Sequence, residues 1–128
     1  MPAPSSPVYS TALNVSAQGL TKTALEAGAG AALLKIYSEA DVLLVTITLD
    51  DPVGTVSAGG QLPVTAPSAA TAVATATATW GDFTDSDGTS VMKAPTAQSL
   101  TAIPNVIALN ATAIVTGASV ELISATFG

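Results

Sequence analysis

The order of apolar and polar positions changes period along the chain, and the changes mark its elements. Between residues 13 and 27, Leu13, Leu20, Ala24 and Ala27 share one face, with Ala17 between them. That spacing predicts a helix over residues 13–27 that buries this face. Asn14 or Ser16 supplies its N-cap, and Gly28 and Gly30 its C-terminal stop, where left-handed geometry is free of steric cost. Gly19 weakens the interior by up to about 1 kcal/mol, so the helix depends on packing.

Beyond the glycines the period becomes two. Residues 32–38 alternate, with Leu34 and Ile36 on one face and Leu33, Lys35 and Tyr37 on the other. Residues 42–50 follow, with Leu43, Val45, Ile47 and Leu49 sharing a face, and the short polar break between the two runs predicts an antiparallel hairpin. Asp51-Pro52 ends the second strand, because proline has no N–H for the ladder. Residues 53–67 read as loop with a short strand at 61–65. Residues 70–80 place Ala or Trp at even positions and Thr or Val at odd ones, a strand signal. The Ala face admits close approach; the Thr/Val face meets solvent or another subunit. Residues 81–88 form an acidic turn, 89–93 the returning strand, 94–99 a loop around Pro95, and 100–103 a short strand. Residues 106–115 and 119–127 are strands joined by Thr116-Gly117-Ala118. About eight strands and one helix predict an all-β sandwich.

The first ten residues, MPAPSSPVYS, belong to neither pattern. Their prolines bias the chain toward extended structure. Residues 1–12 therefore read as an extended arm laid over a neighbouring subunit, with a disordered tail as the alternative, and residues 13–128 as one β domain. Pro2, Pro4, Pro7, Val8 and Tyr9 are its interface candidates. Neither a basic nor an apolar leader region opens the sequence, and no apolar run approaches a membrane span; a soluble chain made in the cytoplasm is expected.

Composition narrows the chemistry. The 128 residues are 48% hydrophobic but only 9% charged, with a net charge of −6. Soluble domains average about a quarter charged residues, so this surface relies on Thr, Ser and Ala and suits burial in an assembly. Three Lys and no Arg leave little to displace phosphate counterions, which argues against nucleic acid and against anionic membranes. Cys and His are absent. Thiol nucleophiles, disulfides, imidazole or thiolate metal sites and His-based acid–base pairs are thereby excluded.

Asp82, Asp85 and Asp87, followed by Gly88, are the one cluster of like chemistry. Carboxylates at this spacing suit Ca²⁺, but the twelfth position of an EF-hand loop counted from Asp82 is Lys93. A turn stabilised by Asx hydrogen bonds is the better reading. Asp50 and Asp51 are adjacent on a strand and point to opposite faces, so they do not form an acid–base pair. Gly28-Ala29-Gly30 follows a helix instead of opening one, unlike a phosphate cradle. The sequons at Asn14 and Asn110 lack a secretory leader. Trp80 is expected in the core; Tyr37 is a candidate both for the core and for an interface. No catalytic residue, cofactor or metal site is expected.

Taken in order, ALEAGAGAALLKIYS, LLVTITLDDP, Gly60-Gln61-Leu62, TATATW, DSDGTSVM and the closing IALNATAIVTGASVELISATF resemble a family of small tailed-bacteriophage virion proteins. The similarity spans residues 13–127. It rests on the order of weak motifs, and it departs in a short loop after Tyr37 and in Gly81 after Trp80. The resemblance implies a jelly-roll-like antiparallel β-sandwich and a homo-oligomeric decoration or cement protein on the capsid exterior. Its partners would be the major capsid protein and copies of itself. A neck or tail component is the alternative within that class. A carbohydrate-binding module would need a row of aromatics, and only 4% of residues are aromatic.

Overall fold

In the computed structural model, which describes residues 10–101 and 105–127, the chain opens with helix α1 (Thr11–Leu25). The expected arm residues Pro2, Pro4, Pro7, Val8 and Tyr9 lie outside the described residues, and Thr11 and Ala12 are helical, not part of an arm. Ser10 is the N-cap: its Oγ accepts the Leu13 N–H at 3.1 Å. The cap precedes both expected candidates, because a hydroxyl just ahead of Thr11 already satisfies an amide that the helix start leaves open. At the other end Glu26 is the C-cap, with φ −91°. Neither Gly28 nor Gly30 adopts a positive φ. Gly28 serves close approach: a Cβ there would lie 1.7 Å from Ser86 Oγ, which accepts the Gly30 N–H at 3.2 Å.

The helix is also turned differently from the expectation. Leu13 and Leu20 are 51% and 73% exposed, whereas Leu25 is fully buried. Two fastenings set this rotation. Leu25 enters the core, and Glu26 Oε1 accepts both the Val53 N–H and the Lys22 ammonium at 3.1 Å. The half-buried side of α1 is therefore the polar one that carries Gln18, Thr21 and Lys22.

Strands β1 (Leu33–Ser38) and β2 (Leu43–Thr48) form the predicted antiparallel hairpin. Leu34, Ile36, Val45, Ile47 and Leu49 are buried as their alternation requires, whereas Leu43 of the same expected face is only half-buried, because the register shifts between Val45 and Leu43. Leu44 is buried too, because the segment after the next strands covers it: its carbonyl accepts the Val73 N–H at 2.7 Å. β3 (Leu62–Val64) interrupts the loop where a short strand is predicted.

The Thr/Ala run is not one strand. It divides into β4 (Ala70–Thr71) and β5 (Ala76–Thr84), yet its facing is as predicted: Ala72 and Ala78 are buried, and Thr71, Val73, Thr75, Thr77 and Thr79 are exposed. A bulge opposite Tyr37 and Ser38 then shifts the phase. As a result Gly81 and Phe83 point inward, and β5 continues through residues expected to form a turn. β6 (Ser90–Gln98) likewise runs through Pro95, where a loop is predicted. It pairs with β5 as far as Pro95 and then, from Thr96, runs parallel to β7 (Ile107–Leu109). The missing proline N–H thus falls where the strand changes partner.

Leu100 is 80% exposed and, like Thr101, belongs to no strand; residues 102 and 103 of the expected 100–103 strand lie outside the described residues. The two closing strands each split, because their halves serve different partners. β7 and β10 (Leu122–Phe127) pair with each other, β8 (Ala113–Ile114) pairs with β5, and β9 (Ser119–Val120) with β4. Gly117, at φ +86°, makes the predicted turn between them.

The main sheet has the order β2-β1-β5-β6-β7-β10-β3, with β6–β7 as its parallel pair. The fold is mainly β, a curled, antiparallel-dominated, sandwich-like sheet with one short N-terminal helix, as the sequence predicts. The curl brings Phe83 of β5 edge-on to Phe127 of β10, with ring centroids 5.3 Å apart. Gly81 makes the interior fit. A Cβ there would stand 2.6 Å from Ile107 Cδ1, 3.0 Å from Leu34 Cδ1 and 3.1 Å from Ile36 Cδ1. All three side chains are fully buried and have nowhere to retreat. Gly81→Ala should therefore destabilise the fold by about 1–3 kcal/mol, the usual cost of overpacking. A lower urea midpoint with an unchanged slope would show it.

Candidate functional site

The bulge that turns Gly81 inward turns Trp80 and Asp82 outward, and the register of three strands builds a small grid around them. Tyr37, Trp80 and Pro95 stand opposite one another on β1, β5 and β6; Lys35, Asp82 and Lys93 form the next row. Alternation places both rows on the outer face, since Leu34, Ile36, Phe83 and Ala94 occupy the inner one.

Tyr37 stacks on Trp80 with centroids 4.5 Å apart and planes 14° from parallel. From the other neighbouring strand, Lys93 Nζ lies 5.4 Å from the Trp80 centroid, within cation–π range. Trp80 is thus half-buried in a cross-strand stack on the surface side, not in the core. The phase shift at the bulge is the cause. Tyr37, Trp80, Lys93, Ala94, Pro95 and Asp41 line an open depression of about 630 Å³. Two of the three lysines of the chain flank Asp82 here, whose carboxylate accepts the Ser90 hydroxyl at 2.6 Å.

The three aspartates of the acidic segment do not converge. Asp82 lies on β5, facing outward. Asp85 is buried, and its Oδ1 accepts the N–H groups of Asp87 and Thr89, each at 3.0 Å. Asp87 is exposed in the turn. This is the Asx arrangement predicted for a turn. Among the described residues no group of three or more Asp or Glu side chains is placed to hold a metal ion. Asp50 accepts the Thr65 hydroxyl, which ties the end of β2 to the segment after β3, while Asp51 is exposed.

The parts of the grid are two stacked aromatic rings, a proline, two ammonium groups and carboxylates, one of which accepts the Ser90 hydroxyl. Tyr37 and Lys93 both pack against the Trp80 ring, which reduces the aromatic face open to a ligand. Lys35, Lys93 and Pro95 are absent from the sequence-level candidates. They are neighbours only through strand register, and no local signal announces them. No helix among the described residues is long and apolar enough to cross a membrane.

Two outcomes follow from this geometry. Asp85→Ala should lower stability by about 2 kcal/mol, the scale of hydrogen bonds to a charged group. The loss should be the same in Ca²⁺ and in EGTA, as thermal melts would show. A double-mutant cycle on Tyr37→Ala and Trp80→Ala should return a coupling of about 0.5–1.5 kcal/mol, as for other aromatic pairs; chemical denaturation supplies the four stabilities.

Comparison with protein-family models, with curated proteins and with solved structures finds no match to this chain.

Proposed function

We propose that this chain is a non-enzymatic structural subunit of a tailed-bacteriophage particle, a decoration or cement protein held in many copies on the capsid exterior. One observation carries the reading: large aliphatic side chains stand exposed on a chain of which only 9% of residues are charged. Leu13, Leu20, Val42, Val73, Leu100 and Val115 are among them. Val73 and Val115 lie on neighbouring segments tied together by Thr75 and Thr116, whose hydroxyls are 3.1 Å apart. Where such groups lie side by side, as on the segments of Val73 and Val115, they favour burial against partners.

The order of motifs that resembles small phage virion proteins supports the same class. Absence of His, Cys and Arg weighs against an enzyme. The net charge of −6 would be repelled by packaged DNA, which favours an outer position. The partners are then the major capsid protein and copies of this chain, and the place of synthesis is the host cytoplasm. The scarcity of aromatic residues, with Trp80 already stacked on Tyr37, disfavours a carbohydrate-binding module.

Contacts of this kind are apolar and hydrogen-bonded. They should survive a wash in about 1 M NaCl, where the Debye length is about 3 Å. Particles carrying the protein, washed in this way and imaged by cryo-EM, should show many copies spread over the shell. Few copies confined to the neck or tail would transfer the protein to that location. Loss of all copies in the wash would refute binding through uncharged faces.

A further inference from the structure

Helix α1 carries its apolar stripe on the side away from the sheet. Leu13, Ala17, Leu20 and Ala24 are spaced by four, three and four residues, the repeat of a helix–helix seam. Ala17 is exposed and Ala24 half-buried, beside the largely exposed Leu13 and Leu20. The charged pair of the helix, Lys22 and Glu26, lies on the opposite side, engaged with each other and with Val53. The borders of the stripe are uncharged. Thr21 Oγ1 donates to the Ala17 carbonyl at 3.1 Å and Thr23 Oγ1 to the Gly19 carbonyl at 3.0 Å. Both hydroxyls are satisfied within the helix, so covering them leaves no unpaired polar group.

We propose that this face pairs with the same face of a second copy, the two helices running antiparallel about a twofold axis near the middle of α1. The order of large and small residues favours this arrangement. Run antiparallel, Leu13 meets Ala24 of the second copy and Ala17 meets its Leu20, with the reciprocal pairs on the other side of the axis. Every leucine then fills the space above an alanine, and the Ser16 and Thr23 flank meets its own copy at the border. Run parallel, leucine would meet leucine and alanine would meet alanine, leaving alternate layers overfilled and empty. An antiparallel pair also opposes the two helix dipoles. The stripe lets two copies of a chain with net charge −6 approach without bringing charges together. One helix pair buries less than the roughly 800 Å² per partner of a standard interface, so the dimer is weak and concentration-dependent. The pairing stands independently of any role on a capsid.

The chain has no cysteine, so engineered thiols report without background. Leu13→Cys and Ala24→Cys proteins are oxidised separately and as a mixture at high protein concentration. The mixed disulfide dimer should exceed either homodimer several-fold. Two copies of residue 13 would sit about 16 Å apart along the axis, at 1.5 Å per residue. Adding Leu20→Glu, at an exposed position that leaves the fold and its circular dichroism unchanged, should abolish the mixed product. Equal cross-linking of Leu13→Cys with itself would overturn the antiparallel register. Absence of any cross-link, or a mixed product that survives Leu20→Glu, would overturn the pairing.

Discussion

Strand β5 is shared by more of the molecule than any other element, and the space beside Gly81 is the condition for that sharing. β1 and β6 flank β5, β8 pairs with its first residues, and Phe83 reaches the far end of the curl at Phe127. Side chains from β1 and β7 converge on the one residue that has none. A bulge one step earlier makes this possible by reversing the alternation between Ala78 and Gly81. The same reversal decides both faces of the sheet: it sends Phe83 into the core and leaves Trp80 outside in its stack with Tyr37 and Lys93.

A second constraint operates at the helix. Leu25 and Glu26 hold its C-terminal end, and that grip fixes which way the rest of α1 faces. The polar flank with Gln18 is half-buried, and Gln18 Oε1 is buried without a hydrogen-bond partner. A monomer optimised alone would turn the leucines inward and the glutamine outward. Retaining the inverse arrangement costs the free chain some stability and keeps an apolar surface ready for another molecule. The outward apolar face of α1 is the surface on which the proposed pairing rests.

Much of the architecture was legible in the residues, because strand alternation is a local property. Leu34 and Ile36, the Val45-Ile47-Leu49 face and the inward alanines of the Thr/Ala run could all be assigned from their own neighbours. The turn at Gly117 and the Asx turn at Asp85 were equally local, one needing positive φ and the other a carboxylate two residues ahead of an amide. Absent residue types are equally direct: without Cys or His, thiol and imidazole chemistry is removed by composition alone.

Only the tertiary structure could decide what depends on a partner distant in sequence. Pro95 looked like the end of a strand, since the exchange of β5 for β7 at that position lies in residues far along the chain. The closing strands broke in two for the same reason: each half answers to a different neighbour. The grid of Tyr37, Trp80, Lys35, Asp82 and Lys93 came from register, which a bulge shifts by one and no local pattern reveals. The stripe on α1 was visible in the sequence as apolar, but periodicity gives a face and not its direction. Leu25 and Glu26 fixed that direction, through contacts made only once the sheet had formed.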